Sequence, residues 1–518
     1  MPVRAVLPIL LASIALATML GVGLPAAAQE RNDAPAGGVL SLLPKNAVTA
    51  HSLSLPDGRV LDYHAEAGTE PLLGGDGAVQ AQIFFTAYTL DGASTQTDGG
   101  RPITFVFNGG PGAAAAYLHL GALGPRVIDT AANGTFLPPP QRLRDNPDTW
   151  LAFTDLVFVD PVGTGYSRAA PGTDEKDFWA VDRDIASLGA FVRLYLQHRG
   201  RTGAAVWLAG ESYGGFRVAR MAKTLQEDVG IPVSGAIMIS PALEFAFVNP
   251  DEFDITQWAL ALPAMASVNF ERQGLRGDAL AAKRAEVERW ASGDYLAALA
   301  GGLETSRAVS DTVARYTGLP LDLVRRNAGR ISFSTFARSL LRDEGRTLSR
   351  YDGTIATADT APQAAFADAP DPVLDRSVPM LTSAFVGYVR DALGYRTDVS
   401  YRLLNRDTSN RWEFGGGGRH GYAGSLDDLQ EARSLNPDMR VLIAHGYGDL
   451  VTPYTVSRFL VDQLPTLSGA QPIRLSTYPG GHMMYLRPDS RQALAADAAA
   501  LYAAAAETPQ PPLTRPTD

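Results

Sequence analysis

The feature that most constrains the fold of this 518-residue chain is a series of short, continuous apolar runs bounded by turn residues. Such runs are typical of strands that are buried on both faces of a parallel sheet. Helical patterns at 178–198 and 216–229 separate some of the runs, which indicates β-α-β units. The sequence therefore predicts an α/β fold with a mostly parallel central sheet and helices on both faces. The runs lie at 103–107, 156–159, 206–209, 237–240, 441–444 and 473–477.

Two stretches depart from this alternation of strands and helices. Residues 60–63 and 83–90 look like antiparallel strands at the start of the sheet. Residues 246–390 have helical apolar spacing with no clear strand, which predicts a mainly helical insertion that covers the sheet edge as a lid. The core is then expected in two parts, 29–245 and 391–506, before a disordered tail at 507–518.

The N-terminus has the three parts of a secretory signal peptide. A basic start that includes Arg4 precedes an apolar run at 7–24, and Ala26-Ala27-Ala28 supplies small residues for cleavage. We expect cleavage near Ala28, a mature chain that begins at Gln29, and a periplasmic or secreted protein that leaves the membrane. A retained membrane anchor is the alternative, because the apolar run nears the length that spans a bilayer.

Composition excludes several classes of function. The chain has no cysteine, which rules out disulfides, a thiol nucleophile, iron–sulfur clusters and cysteine-ligated zinc. Its formal charge of −10 and dispersed basic residues argue against binding nucleic acid. No H-E-x-x-H pattern is present, so we expect neither a metal nor another cofactor. The sequence does not indicate an oligomeric state.

A serine nucleophile is predicted at Ser212. It lies in the pattern Gly-Glu-Ser-Tyr-Gly at 210–214, after one apolar run and before a helical pattern. This G-x-S-x-G pattern between a strand and a helix is typical of the nucleophile elbow of the α/β-hydrolase fold. A plain tight turn is the structural alternative.

The base and the orienting acid are expected after the nucleophile, in the order serine, acid, histidine. His482 lies in a loop after the last predicted strand and is the preferred base, while His445 is expected in a structural contact and His420 in a Gly-rich stretch. Asp449 follows the predicted strand at 441–444 and can orient the imidazole. An Asx turn or a helix cap is the alternative role for Asp449.

An oxyanion hole is predicted from two backbone N–H groups. Asn-Gly-Gly-Pro-Gly at 108–112 follows the first parallel strand, and its glycines free N–H groups for a ligand. We expect one donor from Gly110 and the other from Tyr213, the residue after the nucleophile. A nucleotide-binding loop is the competing interpretation, but neither phosphate-binding glycine motif matches.

These motifs together resemble the serine carboxypeptidase family (peptidase family S10), in particular its bacterial members. The resemblance implies an α/β-hydrolase that releases C-terminal amino acids from peptides through an acyl-enzyme on Ser212. It also implies that Asn108 and Glu211 bind the terminal carboxylate of the substrate. An acid can face a carboxylate only if the two share a proton, so we expect activity to weaken as pH rises. The motifs are NGGPG (108–112), NPDTW (146–150), DPVGTGYS (160–167), GESYGG (210–215), GYGD (446–449) and GGHM (480–483).

Some positions differ from the family pattern or have other expected roles. Ala113 stands where the family usually has cysteine, and Ala122 stands where it commonly has a glutamate that helps to bind the terminal carboxylate. Asp160 is interpreted as a brace for its loop, and Tyr166 as a pocket wall.

Three other functions remain open from the sequence. Prolyl aminopeptidases of the same fold use a similar loop and elbow, and Glu211 could bind a free amine instead of a carboxylate. Acyltransferases related to the family use the same triad. A catalytically inactive binding protein is the third alternative, which an intact triad of Ser212, Asp449 and His482 disfavours.

Overall fold

The computed structural model of the chain describes residues 38–92, 100–248, 250–251, 253–364, 370–415 and 423–507. The predicted signal peptide, His420 and residues 508–518 of the predicted tail lie outside the described residues. None of the described helices has the length and apolar character that a membrane span requires.

The secondary structure of the described residues alternates strands and helices over most of the chain. The strands are β1 (Ala47–Ser54), β2 (Val60–Leu73), β3 (Val79–Leu90), β4 (Ile103–Phe107), β5 (Arg126–Ile128), β6 (Leu143–Asp145), β7 (Asp155–Val159), β8 (Arg168–Ala169), β9 (Val206–Glu211), β10 (Val233–Ile239), β11 (Arg346–Leu348), β12 (Ala356–Ala358), β13 (Arg440–Gly446) and β14 (Ile473–Tyr478). The helices are α1 (Ala116–Leu118), α2 (Val181–His198), α3 (Tyr213–Thr224), α4 (Phe245–Val248), α5 (Thr256–Arg272), α6 (Gly277–Trp290), α7 (Leu296–Ala300), α8 (Leu303–Ala308), α9 (Ser310–Thr317), α10 (Leu321–Arg326), α11 (Phe333–Ser339), α12 (Leu374–Asp391), α13 (Arg406–Arg411), α14 (Leu426–Leu435), α15 (Tyr454–Asp462) and α16 (Pro488–Ala506).

The main sheet has the strand order β1-β2-β3-β7-β4-β9-β10-β13-β14, and β8 pairs with β3. Neighbouring strands are parallel from β7 to β14. The pairs β1-β2, β2-β3 and β3-β7 are antiparallel. The six apolar runs of the sequence all lie in this parallel part. The predicted α/β-hydrolase fold, including its antiparallel start, is therefore confirmed.

Both faces of the parallel sheet are covered by helices. Val206 and Leu208 of β9 belong to a core cluster with Val218 of α3. Trp207, between them in sequence, points to the other face and stacks on Tyr502 of α16 with ring centroids 3.8 Å apart. Because alternate residues of a strand face opposite sides, burial on both sides requires an unbroken apolar run.

The parallel direction of the strands gathers the predicted site at one sheet edge. The last residue of β4, Phe107, is paired with Gly210 near the end of β9. On the other side of β10, Gly446 at the end of β13 is paired with Tyr478 at the end of β14. The loops that follow these four strands carry the predicted site residues, so they emerge along the same edge.

The chain between β10 and β13 packs around a separate apolar core. This core includes Leu262, Val287 and Phe336, and it extends to Leu450 and Tyr454 of the second core part. The sequence shows no clear strand in this stretch, yet β11 and β12 form a two-stranded antiparallel sheet there. Three-residue strands are too short to produce a periodic pattern. The boundaries 246 and 390, and the lid role, stay predictions.

Candidate active site

Ser212 lies in the sharp turn between β9 and α3. Its backbone torsions are φ 59° and ψ −122°, a combination that residues with a Cβ atom rarely adopt. The turn is held by hydrogen bonds from Ser212 N–H to the carbonyl of Ile239 and from Gly215 N–H to the carbonyl of Ser212, both 2.9 Å. This strained strand-to-helix turn has the geometry of a nucleophile elbow.

The glycines around Ser212 are required by close backbone packing. A Cβ atom on Gly210 would lie 2.1 Å from the carbonyl oxygen of Gly214. A Cβ atom on Gly109 would lie 2.9 Å from Ser212 Cβ and 2.7 Å from Tyr213 N. Atoms cannot approach so closely without repulsion, so any side chain here would push the two segments apart. The loop after β4 and the serine turn therefore contact each other directly through backbone.

His482 and Asp449 form a buried hydrogen-bonded pair. The distance from His482 Nδ1 to Asp449 Oδ2 is 2.8 Å, and the side chains are 3% and 0% exposed. This contact leaves Nε2 of His482 for another partner. His482 lines the same cavity as Ser212, so the structure brings together all three residues of the predicted triad.

The carboxylate of Asp449 is oriented by the residues that follow it. Val451 N–H and Thr452 N–H donate to Oδ1 at 2.7 and 3.0 Å, and the Thr452 hydroxyl donates to Oδ2 at 2.8 Å. The Asx turn considered from the sequence is thus present together with the contact to His482. Burial would lower the pKa of His482, but the Asp449 and Glu211 carboxylates outweigh it and raise this pKa above its ordinary value.

His445 lies outside this arrangement. It is buried in β13, where Nε2 contacts Ser457 Oγ at 2.8 Å, and burial lowers its pKa to about 4. A neutral imidazole with this partner agrees with the structural contact expected from the sequence. Across the described ranges, no group of three His, Asp or Glu side chains is arranged to hold a metal ion.

The predicted oxyanion donors lie on two adjoining segments. Gly110, with φ of 101°, lines the cavity beside Ser212. Tyr213 is the first residue of α3, and N–H groups in the first turn of a helix have no partner within the helix. The contact of Gly109 with this turn brings the two segments together.

Glu211 is the buried acid beside the predicted nucleophile. Asn108 Nδ2 donates a short hydrogen bond to Glu211 Oε2, and the Tyr485 hydroxyl donates to Oε1 at 2.8 Å. Asn108 is itself fixed, because its Oδ1 accepts from Leu118 N–H at 3.1 Å. Burial raises the pKa of Glu211 to about 7, so this carboxyl group can carry a proton near neutral pH.

A cavity of about 50 Å³ adjoins Ser212. Apart from Asn108, Glu211, Ser212 and His482, its lining residues are glycines or have aliphatic, aromatic or thioether side chains. The part of the cavity that these other residues line therefore suits an uncharged group. The lining residues are Asn108, Gly109, Gly110, Ala113, Tyr117, Glu211, Ser212, Tyr351, Leu374, Leu404, His482 and Met483.

The segment 350–353, here called the bracing segment, is bonded to both loops that carry the histidine and the acid. The carbonyl of Tyr351 accepts from His482 N–H at 2.5 Å, and the carbonyl of Arg350 accepts from Leu450 N–H at 2.9 Å. Gly353 N–H donates to the carbonyl of Gly448 at 3.0 Å. These contacts fix the backbone on each side of the imidazole–carboxylate pair.

Arg487 fastens the bracing segment to the core. Its guanidinium donates to Glu271 of α5 and to Asp352, with 3.1 Å between nitrogen and oxygen in each case. The three side chains are 10%, 11% and 8% exposed, respectively. Sequence reasoning missed Arg487, Tyr351 and Tyr485. The one signal for Arg487 and Tyr485 was their place within five residues of His482.

The remaining family-related positions lie in the core around the site. Asp160 Oδ1 accepts from Ala115 N–H at 2.8 Å, which agrees with its interpretation as a loop brace. Tyr166 packs against Tyr401, with ring centroids 4.9 Å apart, and does not line the cavity of Ser212. Its interpretation as a pocket wall is therefore wrong. Ala122 is buried.

Comparison with known proteins identifies similar sequences and similar solved structures. Residues 74–232 match a family model described as serine carboxypeptidase. The chain is 29% identical over 167 residues to pheromone-processing carboxypeptidase KEX1 of Yarrowia lipolytica, which covers 32% of this chain and 25% of that protein. It is 27% identical over 145 residues to serine carboxypeptidase 24 of Arabidopsis thaliana, covering 27% and 29%, respectively.

The structural comparison supports the fold. The prohormone-processing carboxypeptidase Kex1(delta)p from Saccharomyces cerevisiae aligns with a TM-score of 0.54 at 15% identity, covering 86% of this chain and 91% of that chain. The chain spans about a quarter of the length of the curated relatives it matches in sequence.

Replacement of Arg487 by methionine tests the contact with the bracing segment. Arg487→Met leaves Asp352 and Glu271 without their cation, and a buried charge that loses its partner typically costs about 3–5 kcal/mol. We expect the free energy of unfolding in urea to fall by about that amount. The matched control is Arg59→Met, because Arg59 and its partner Asp57 are 58% and 53% exposed, and it should leave this free energy unchanged. Equal losses in both variants would contradict the buried contact.

Proposed function

The chain belongs to the serine carboxypeptidase family through the match over residues 74–232, and on that premise we propose that it is a serine-type carboxypeptidase. It removes the C-terminal residue of a peptide through an acyl-enzyme on Ser212. The observation that supports this most is the cavity of Ser212, where the His482–Asp449 pair meets the buried Asn108–Glu211 pair. The first pair suits acyl transfer, and the second suits a terminal carboxylate.

The proposed acylation step uses the triad as nucleophile, base and orienting acid. Ser212 Oγ attacks the scissile carbonyl carbon while His482 Nε2 takes its proton, and Asp449 stabilises the imidazolium that forms. The backbone N–H groups of Gly110 and Tyr213 bind the oxyanion. His482 then gives the proton to the leaving amine, and water repeats the sequence to release the shortened peptide.

The terminal carboxylate of the substrate is bound by Asn108 and Glu211 in this proposal. A protonated Glu211 donates a hydrogen bond to that carboxylate, whereas an ionised Glu211 repels it. The apolar walls of the cavity favour an uncharged residue at the C-terminus, because a buried unpaired charge is costly. A prolyl aminopeptidase would instead use an ionised Glu211 to bind a free amine.

The identity of the substrate terminus is tested with N-blocked dipeptides. We expect hydrolysis of a peptide that ends in leucine with a free carboxylate, and a loss of at least about tenfold in kcat/KM for the C-terminal amide, since one charge-assisted hydrogen bond is lost. A lysine terminus should also be poor. Ser212→Ala is the inactive control and should fail to react with a fluorophosphonate. Equal turnover of acid and amide would refute the carboxypeptidase assignment.

The pH dependence is tested with Glu211→Gln. Because burial raises the pKa of Glu211 to about 7, the protonated form is lost as pH rises through that value. For the free-acid dipeptide we expect kcat/KM to fall above about pH 7, by roughly tenfold for each further unit. Glu211→Gln keeps a neutral hydrogen-bond donor and should lack this alkaline fall. An alkaline fall of unchanged position in Glu211→Gln would assign it to another group.

We propose that the protein is exported to the periplasm or the medium, because residues 1–28 have the pattern of a signal peptide. The pattern implies cleavage near Ala28, so Edman sequencing of protein recovered from the periplasm or the medium should begin at Gln29. An N-terminus at Met1 in a membrane fraction would instead indicate a retained anchor.

A further inference from the structure

Within the part of the chain that the structure describes, the small sheet formed by β11 and β12 has one covered edge and one open edge. On the β11 side, Arg346 N–H donates to the Leu341 carbonyl at 3.1 Å, and two residues beyond β11 the Arg350 carbonyl accepts from Leu450 N–H at 2.9 Å. On the β12 side, β11 is the only strand paired with β12 in the described part of the chain. An open strand edge presents N–H and C=O groups that can pair with another extended chain.

The hydrogen-bond register shows which groups of β12 point to the open edge. Ser349 N–H donates to the Ile355 carbonyl at 2.8 Å, and Asp359 N–H donates to the Gly345 carbonyl at 2.8 Å. In an antiparallel pair, bonded and non-bonded positions alternate. Thr357 is therefore bonded to β11, whereas Ala356 and Ala358 direct their N–H and C=O groups outward. Of these groups, the Ala356 carbonyl accepts a long, exposed hydrogen bond of 3.4 Å from the Arg346 side chain, which a bound strand would have to replace.

A cleft of about 430 Å³ runs along β12. Its other walls are the loop at 134–136 and the start of α12, with Phe136 and Val373 as large apolar members. The charged lining residues already have partners. Asp371 accepts from the Ser349 hydroxyl at 2.7 Å and Asp375 contacts Arg406. Arg376 also lines the cleft and donates to the Phe136 carbonyl at 3.0 Å. Each charged lining residue thus has a hydrogen-bond partner within the protein, which favours recognition of a ligand through its backbone.

The cleft adjoins the cavity of Ser212, because the same two chain segments line both spaces. Tyr351 lines that cavity, and the cleft wall begins four residues later at Ile355. On the other side, Leu374 lines the cavity while its neighbour Val373 lines the cleft. Two separate segments therefore pass from one space into the other, which makes the two spaces neighbours.

We propose that the open edge of β12 binds the extended backbone of a peptide substrate on the amino-terminal side of the bond cleaved at Ser212. The added strand pairs with the outward groups of Ala356 and Ala358, as in β-strand addition. This inference rests on the proposed function, because it makes the substrate a peptide of several residues. In this proposal the protein recognises the substrate through main-chain hydrogen bonds and not through a charged pocket.

The length of the substrate follows from chain geometry. Ala356 is five residues from Tyr351, so the strand edge is at most about 17 Å from the cavity wall at ~3.4 Å per residue. A hexapeptide, about 20 Å long when extended, can span even this largest separation, whereas a blocked dipeptide, about 7 Å long, can span only a much smaller one. We expect kcat/KM to rise with peptide length up to about six residues and then to level off.

The test is a backbone N-methyl scan of a neutral hexapeptide, with binding to Ser212→Ala measured by calorimetry. Pairing with one strand edge uses the N–H of every second residue, so methylation at alternate positions should weaken binding about fivefold each and methylation between them should not. A uniform effect, or none, overturns the proposal. Binding to Ser212→Ala needs no catalysis, so failure of this inference stays distinct from failure of dipeptide hydrolysis in the active enzyme.

A variant of the strand provides an independent measurement. Ala358→Pro removes one outward N–H, and proline is tolerated at such an edge position. We expect the ratio of hexapeptide to dipeptide kcat/KM to fall about fivefold, the effect of one backbone hydrogen bond, while Ala358→Ser keeps the N–H and restores the ratio. An unchanged ratio in a folded Ala358→Pro overturns the proposal. A dimer in light scattering that Ala358→Pro dissociates would assign the edge to a second copy and also overturn it.

Discussion

The position of His482 depends on a carbonyl oxygen from outside the main sheet. Tyr351, in the bracing segment, accepts the His482 N–H, and neighbouring backbone groups bind the loop of Asp449. Arg487 then joins this segment to α5 through buried ion pairs. The stretch between β10 and β13 therefore helps to hold the imidazole–carboxylate pair, in addition to bordering the cavity. If that stretch moves as a lid, the motion must leave these buried contacts intact.

Two buried carboxyl groups lie near His482 and have different surroundings. Asp449 accepts three hydrogen bonds from Val451 and Thr452 and contacts the imidazole directly. Glu211 is held by Asn108 and Tyr485, and burial raises its pKa to about 7. One site can thus contain one carboxyl group that orients the imidazole and a second that can carry a proton near neutral pH. Both groups are buried, so the difference between their surroundings lies in their hydrogen-bond partners.

Strands were predictable from the sequence where their apolar pattern was long enough to recognise. The runs at 103–107 and 206–209 have strong patterns because both of their faces are buried, and both became parallel strands. The serine turn was predictable because crowding there demands glycine, as at Gly210. By contrast, the three-residue strands β11 and β12 have no period to detect. Tyr166 was assigned to the pocket by resemblance, but packing against Tyr401 placed it in the core.

The sequence by itself determined the α/β fold, the order of the predicted triad and the absence of disulfides. These properties follow from local patterns, since strand burial, turn crowding and residue identity can all be read from adjacent positions. Only the tertiary structure decided that Arg487 binds Asp352 and Glu271 and that Tyr485 binds Glu211. It also decided that, among the described residues, one edge of β12 has no partner strand. Contacts between residues more than a hundred positions apart depend on how the chain closes on itself, and no local pattern specifies that closure.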